Sequence, residues 1–237
     1  MRAMILAAGR GERMRPLTDH TPKPMLTAGG KPLIVWHLER LAAAGLRDVV
    51  VNHAWLGEQI VQGLGDGAQW GLRIRHSAEP AALETAGGIV QALPMLGDEP
   101  FLVINGDIWC DWDPARASAA ARRLDDEAAD AWLLLIDNPA HHPAGDFVLT
   151  PDGRASDEGS SRLTFAGIGV YRPRLFEGMA AGQAAPLAPL LRQAMARRAV
   201  LASHHPGQWV DVGTPQRLAE LDAALGAGNA KHFTVSA

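Results

Sequence analysis

Short apolar runs alternate with helical patterns through the first half of the chain. Residues 2–7 read as a buried strand. Residues 32–44 read as a helix: Pro32 suits a first turn, apolar positions recur at helical spacing, and Gly45 ends it. A strand centred on Val49–Val51, a helix at 55–64, a strand at 72–76 and a helix at 84–93 follow. Phe101–Asn105 reads as a buried strand that stops at Gly106-Asp107, before a helix near 114–124 and a strand near 132–136. This β-α alternation predicts an α/β fold with a mostly parallel sheet covered on both faces.

Beyond residue 137 the pattern changes. Asn138-Pro139, Pro143-Ala144-Gly145 and Pro151-Asp152-Gly153 are turn signals with short strands between them. A helix-poor insertion over roughly 138–170 is therefore expected at one end of the sheet. Helices return at about 187–198 and 214–225. One domain over 1–230 is expected, with a first half to about 110, a second half from 111, and a small polar tail at 231–237. No internal repeat interrupts this plan.

Composition removes several classes. The net charge of −4 lacks the basic excess of a protein that coats nucleic acid. The single Cys110 allows neither an intrachain disulfide nor a cysteine-based zinc cluster, and suits a reducing cytosol. No run approaches the about 18 apolar residues of a membrane span. The opening residues do not follow the order of a signal peptide, so a cytoplasmic protein is expected.

Candidate chemistry begins at the end of the first strand. Leu6-Ala7-Ala8-Gly9-Arg10-Gly11 leads a strand into a Gly-x-Gly loop, where bare backbone N–H groups can approach a phosphate chain. Met14 stands where a dinucleotide fingerprint needs its third Gly, and no Gly-Lys-Ser/Thr follows for a P-loop. Arg13 comes next, then Pro22-Lys23-Pro24. The two prolines are expected to hold Lys23 in a rigid, extended stretch. Arg13 and Lys23 would then place two fixed cations on one polyphosphate. Asp107, just past the carboxyl end of a buried strand, suits Mg²⁺ or caps an Asx-type turn.

The string LAAGRGERMRPLTDHTPKPML resembles the signature of the sugar-1-phosphate nucleotidyltransferases, and the similarity runs from residue 2 to about 225. The resemblance implies a three-layer, Rossmann-like fold with a mixed, mostly parallel sheet and a small sugar-side insertion. It implies a reaction in which a nucleoside triphosphate and a sugar 1-phosphate give an NDP-sugar and pyrophosphate. It gives the triphosphate to the Gly9–Gly11 loop, with Leu6 and Ala8 also binding the nucleotide, its outer phosphates to Arg13, and its α-phosphate to Lys23. Asp107 and Asp211, the latter in Trp209-Val210-Asp211-Val212-Gly213-Thr214, become the Mg²⁺ carboxylates.

Glu79, Glu84, Thr85 and Gly87 fall in the stretch expected beside the base, where Glu79 would accept from uracil or guanine N–H groups. Many relatives carry Gly at the place of Glu84. Asn105, Asp137, Gly145 and Gly167 are expected to hold the sugar, with His141 and His142 as further donors. The lysine that many relatives place before Thr164 is absent, leaving Arg162 the nearest cation by sequence.

Asn52-His53-Ala54-Trp55, LETAG and Asn138-Pro139-Ala140-His141-His142 are similar to the branch that uses UTP and N-acetylmuramic acid 1-phosphate in cell-wall sugar recycling. The GTP- and mannose-1-phosphate-using branch shares the core signature. A nucleotide-sugar-binding regulator without turnover is a third reading, against which Arg13, Lys23, Asp107 and Asp211 are all present. The expected partners are UTP and a sugar 1-phosphate, with no nucleic acid, membrane or obligate protein partner.

Overall fold

The computed structural model describes residues 1–226; the expected tail at 231–237 lies outside the described residues. The elements run β1 (Ala3–Leu6), β2 (Thr27–Ala28), β3 (Lys31–Pro32), α1 (Leu33–Ala43), β4 (Asp48–His53), α2 (Gly57–Leu64), β5 (Arg73–Ala78), α3 (Glu84–Leu96) and β6 (Phe101–Asn105). They continue with β7 (Ile108–Cys110), α4 (Ala117–Asp126), β8 (Ala131–Ile136), β9 (Phe147–Leu149), β10 (Ala155–Ser156) and β11 (Arg162–Tyr171). The described chain ends with α5 (Leu187–Ala196), β12 (Val200–His204), β13 (Trp209–Asp211) and α6 (Pro215–Gly226).

Strands β5, β4, β1 and β6 pair in parallel in that order. Next comes β11, antiparallel to both β6 and β8, and then β12, parallel to β8. The sheet is thus mixed, with β11 reversed at its middle. The period-2 alternation of side chains divides the strands between two cores. Ala3, Ile5, Val49, Val51, Leu102 and Ile104 face Ile34, Leu38 and Leu41 of α1, Ile60 and Leu64 of α2, and Leu124 of α4. Met4, Val50, Phe101 and Val103 face Ile89 and Val90 of α3 and Leu187 and Leu191 of α5. Each fully buried Val, Leu, Ile, Phe or Met side chain among these contributes about 1.5–3 kcal/mol. This is the three-layer α/β architecture expected.

The stretch 138–170 is not wholly an insertion at one end. Its last strand, β11, is the antiparallel core strand. A bulge between Phe165 and Gly169 lets the same strand pair with β9 at Arg162–Leu163 and with β6 at Ile168–Tyr171. Only β9, β10 and the first part of β11 form the expected side sheet.

Two small pairings complete the fold. Hairpin β2–β3 packs under α6, where the Gly29 N–H donates to Asp222 Oδ1 at 2.8 Å. Strand β13 pairs antiparallel with β7, Asp211 opposite Ile108, over a third core containing Met14, Trp109, Val210 and Leu218.

Candidate active site

The site forms at the carboxyl ends of β1, β4 and β6, where open α/β sheets place ligands. A buried chain of hydrogen bonds fixes its floor. The Ala7 N–H donates to Asn52 Oδ1 at 2.8 Å, and Asn52 Nδ2 donates to Glu79 Oε1 at 2.6 Å. Glu79 Oε2 accepts from the Leu83 N–H at 2.9 Å. Glu79 is buried beneath α3 and lines neither of the two cavities described below, and its two hydrogen bonds tie β1, β4 and α3 together. Removing it would leave Asn52 Nδ2 unpaired in a dry setting. Glu79→Ala is therefore expected to cost about 1–3 kcal/mol, a loss of several degrees in Tm, with nucleobase preference unchanged. A calorimetric melt indistinguishable from the parent would remove Glu79 from this role.

Past Ala7 the chain turns out of the sheet. The N–H groups of Ala8, Gly9, Arg10 and Gly11 have no partner among the described residues. A side chain at Gly9 would meet nothing within 4 Å, so a phosphate can approach this backbone closely. Gly11 has a different task. It sits at φ +69, and a Cβ there would lie 2.9 Å from Thr18 Cγ2. The Thr18 hydroxyl donates to the Gly11 carbonyl at 2.8 Å. Arg10 donates to the Thr18 carbonyl at 2.7 Å and stacks 3.8 Å over the Trp55 ring, pinning the loop to the start of α2. Arg13 is exposed and makes no ion pair among the described residues.

Lys23 is buried, and its Nζ donates to Asp107 Oδ2 at 2.6 Å. The stretch around it is not fully extended. Pro22 is extended, but Lys23–Met25 forms one 3₁₀ turn, closed by the Met25 N–H on the Pro22 carbonyl at 2.8 Å. Pro24 is tolerated because a first helical turn does not use its missing N–H. The rigidity expected of Lys23 is kept in a different conformation. Asp107 reaches it because the Gly106 N–H donates to the Leu6 carbonyl at 2.8 Å, drawing the β6–β7 turn against the end of β1. Below the turn, burial pushes the His37 pKa down to about 4, and the neutral ring contacts the Ile108 carbonyl at 2.9 Å.

The β7–β13 pairing and the Val212 N–H, which donates to the Asp107 carbonyl at 2.9 Å, bring Asp211 to the same place. Asp211 Oδ2 accepts from Arg217 at 2.8 Å, and Arg217 also donates to His141 Nε2 at 2.9 Å. Burial, followed by the nearby guanidinium, holds His141 below the ordinary histidine range, as an accepting neutral ring requires. Nothing in the sequence marks Arg217 for this role. It follows Thr214-Pro215 as an ordinary first-turn residue, and only the docking of α6 aims it at Asp211.

On the sugar side, Gly167 lies in the β11 bulge at φ +74, where a Cβ would fall 2.6 Å from Asn105 Nδ2. Gly167 and Asn105 therefore touch, and both line the cavity there. Gly145 and Asp137 do not line it. Gly145 packs against Asn138 and the Arg162 backbone, and Asp137 is an exposed residue paired with His204 at 2.9 Å. The end of β8 carries Asp137 to the outer surface. Arg162 donates to the Asp146 carbonyl at 2.6 Å and pairs with Asp157, so it is engaged within the loop. His142 contacts Asp146 at 3.1 Å and faces the cavity beside His141. Gly87 is also structural: its N–H donates to the Ala185 carbonyl at 3.2 Å, and a Cβ would strike the Gln183 carbonyl.

Two cavities result. One of about 200 Å³ is walled by Leu6, Ala8, Gly9, Glu84 and Thr85 and reaches Lys23. The other, of about 360 Å³, holds Arg13, His141, His142, Gly167 and Asp211. Asn105 and Asp107 line both. The arrangement offers two adjoining chambers that share a carboxylate, with a cation on each side. Cys110 has no part in it, since burial pushes its thiol up to about 12.

The family model described as nucleotidyl transferase matches residues 2–227. The N-acetylmuramate alpha-1-phosphate uridylyltransferase of Neisseria meningitidis serogroup B is 56% identical over 96% of this chain and 99% of its own. The Caulobacter vibrioides protein of the same name is 37% identical, over 94% of this chain and 96% of its own. In fold, the chain is similar to a Bacillus anthracis structure described as a candidate glucose-1-phosphate thymidylyltransferase in complex with a sucrose. The TM-score is 0.81 at 20% identity, covering 100% of this chain and 98% of the other. A match over nearly the whole length, together with paired chambers at the carboxyl edge of the sheet, means that the chain belongs to the nucleotidyl transferase family.

Proposed function

We propose that this protein transfers a uridylyl group from UTP to N-acetyl-α-muramic acid 1-phosphate, releasing pyrophosphate. The observation that carries the reaction type is the junction of the two cavities at Asn105 and Asp107, with Lys23 Nζ 2.6 Å from the Asp107 carboxylate. Two substrates, one per chamber, would meet there. The choice of substrates is supported by the 56% identity to the Neisseria enzyme over almost its full length.

UTP would occupy the chamber of Leu6–Gly9, Glu84 and Thr85, its phosphates on the free amides of the loop. The sugar phosphate would occupy the chamber of His141, His142 and Gly167. A phosphate oxygen of the sugar 1-phosphate attacks the α-phosphorus. The new P–O bond forms as the bond from that phosphorus to the oxygen bridging to the β-phosphorus breaks, and pyrophosphate leaves in line. The step brings anions together and needs no covalent protein intermediate. The protein therefore contributes alignment and charge. Lys23 neutralises the α-phosphoryl oxygens. Arg13, with no ion pair among the described residues, receives the outer phosphates and can fork to two oxygens.

Asp107 and Asp211 fit Mg²⁺. Both are hard oxygen donors facing one cavity, and each is now balanced by a cation, Lys23 on one and Arg217 on the other. Bound there, Mg²⁺ would neutralise and polarise phosphoryl oxygens. No helix among the described residues is long and apolar enough to cross a membrane.

The test is pyrophosphate release with Mg²⁺, crossing UTP, GTP, dTTP and ATP with the 1-phosphates of N-acetylmuramic acid, N-acetylglucosamine, glucose and mannose. Turnover confined to UTP with N-acetylmuramic acid 1-phosphate is expected. Turnover confined to GTP with mannose 1-phosphate would overturn the substrate assignment while leaving the reaction type in place.

A further inference from the structure

Glu84 stands in a conformation that its side chain does not favour. Its φ is +58, in the left-handed region where a Cβ crowds the backbone and glycine is at ease. Leu56, Ala128 and Arg198 are the other non-glycine residues with positive φ among the described residues, and none of them lines either chamber of the site. Glu84 does: it walls the smaller chamber together with the Leu6–Gly9 loop. Its carboxylate is exposed and has no hydrogen bond or ion pair among the described residues. A strained residue with no hydrogen bond or ion pair among the described residues contributes little to the fold.

An ionised carboxylate only accepts hydrogen bonds, and beside a triphosphate it is repelled unless neutral donors meet it. A nucleoside offers two such sources, an N–H on the base edge and the vicinal hydroxyls of the ribose. One base N–H could be met by any unstrained backbone carbonyl. A pair of adjacent hydroxyls calls for two acceptor oxygens on one rigid group, which a carboxylate supplies. The ribose also lies between the base and the phosphates, so it must lie in the chamber that Glu84 shares with the phosphate loop.

We propose that Glu84 is a specificity-determining residue that accepts from the ribose 2′- and 3′-hydroxyls and selects ribonucleotides over 2′-deoxyribonucleotides. This rests on the nucleotide occupying the smaller chamber. A site built to bond a hydroxyl discriminates strongly against the analogue that lacks it. The measurement is kcat/KM for UTP and for dUTP in the parent, Glu84→Gly and Glu84→Gln, with isothermal titration of both nucleotides alongside. Glu84→Gly is expected to melt at a higher temperature, because strain is relieved, and to lose at least tenfold of the preference for UTP over dUTP. Glu84→Gln keeps one acceptor and the strain, and should lose part of the preference without gaining stability.

An unchanged UTP/dUTP ratio in both variants would overturn the proposal. So would an equal loss with both nucleotides, which would point to the base. If the parent turns over GTP instead of UTP, the same comparison is made with GTP and dGTP. The ribose contact is then judged separately from the choice of base.

Discussion

Lys23→Met is expected to lower kcat by about a thousandfold while the protein stays folded. The ammonium is buried and fixed by a one-turn helix, so it meets the developing charge without reorganising, and a preorganised donor of this kind is worth about 10²–10³ in rate. Methionine keeps the apolar stem of the side chain. The Asp107 carboxylate left behind is 40% exposed, so water can take the place of the ammonium. The stability cost should therefore stay near 1 kcal/mol. Single-turnover kinetics with thermal melting separates the two effects. Turnover within tenfold of the parent would remove Lys23 from the chemistry.

Asp107→Asn is expected to be at least as damaging to turnover, about a thousandfold or more, and more costly to the fold. The same pair is broken from its other side. What remains is a buried ammonium with only a neutral amide oxygen to bond, and a buried charge without its counter-charge is the expensive partner to strand. A loss of about 1–3 kcal/mol is expected. The variant should also bind Mn²⁺, used as a paramagnetic probe for Mg²⁺, more weakly than the parent in the presence of UTP. If Asp107→Asn and Lys23→Met melted together and Mn²⁺ affinity were unchanged, both the metal role and the asymmetry of the pair would fail.

Much of this was legible in the sequence because local pattern and tertiary role agree. The buried strands, the helix that Gly45 closes and the Gly-x-Gly loop are each decided within a few residues. Lys23, Asp107 and Arg13 could be singled out for the same reason: a loop or strand end announces them. The placements that the sequence did not foresee share another cause. Glu79 and Asp137 are acidic residues beside strand ends, and nothing in their neighbours tells a carboxylate that turns under a helix from one that turns outward. The reversed strand β11 reads as an insertion because its pairing partners, β6 and β8, lie far back in the chain. Arg217 was invisible because its partner is selected by how α6 docks.

The two candidate metal carboxylates are held together by the short pairing of β7 with β13, not by the large sheet. Residues about a hundred positions apart meet there through three paired positions, on a segment close to the end of the described chain. Such a contact closes a long loop for little ladder, and is the kind that opens first under mild stress. Warming or dilute denaturant should thus abolish turnover while the main sheet, and the spectroscopic signal it gives, are still intact. Catalytic competence would then be the most fragile property of an otherwise robust molecule.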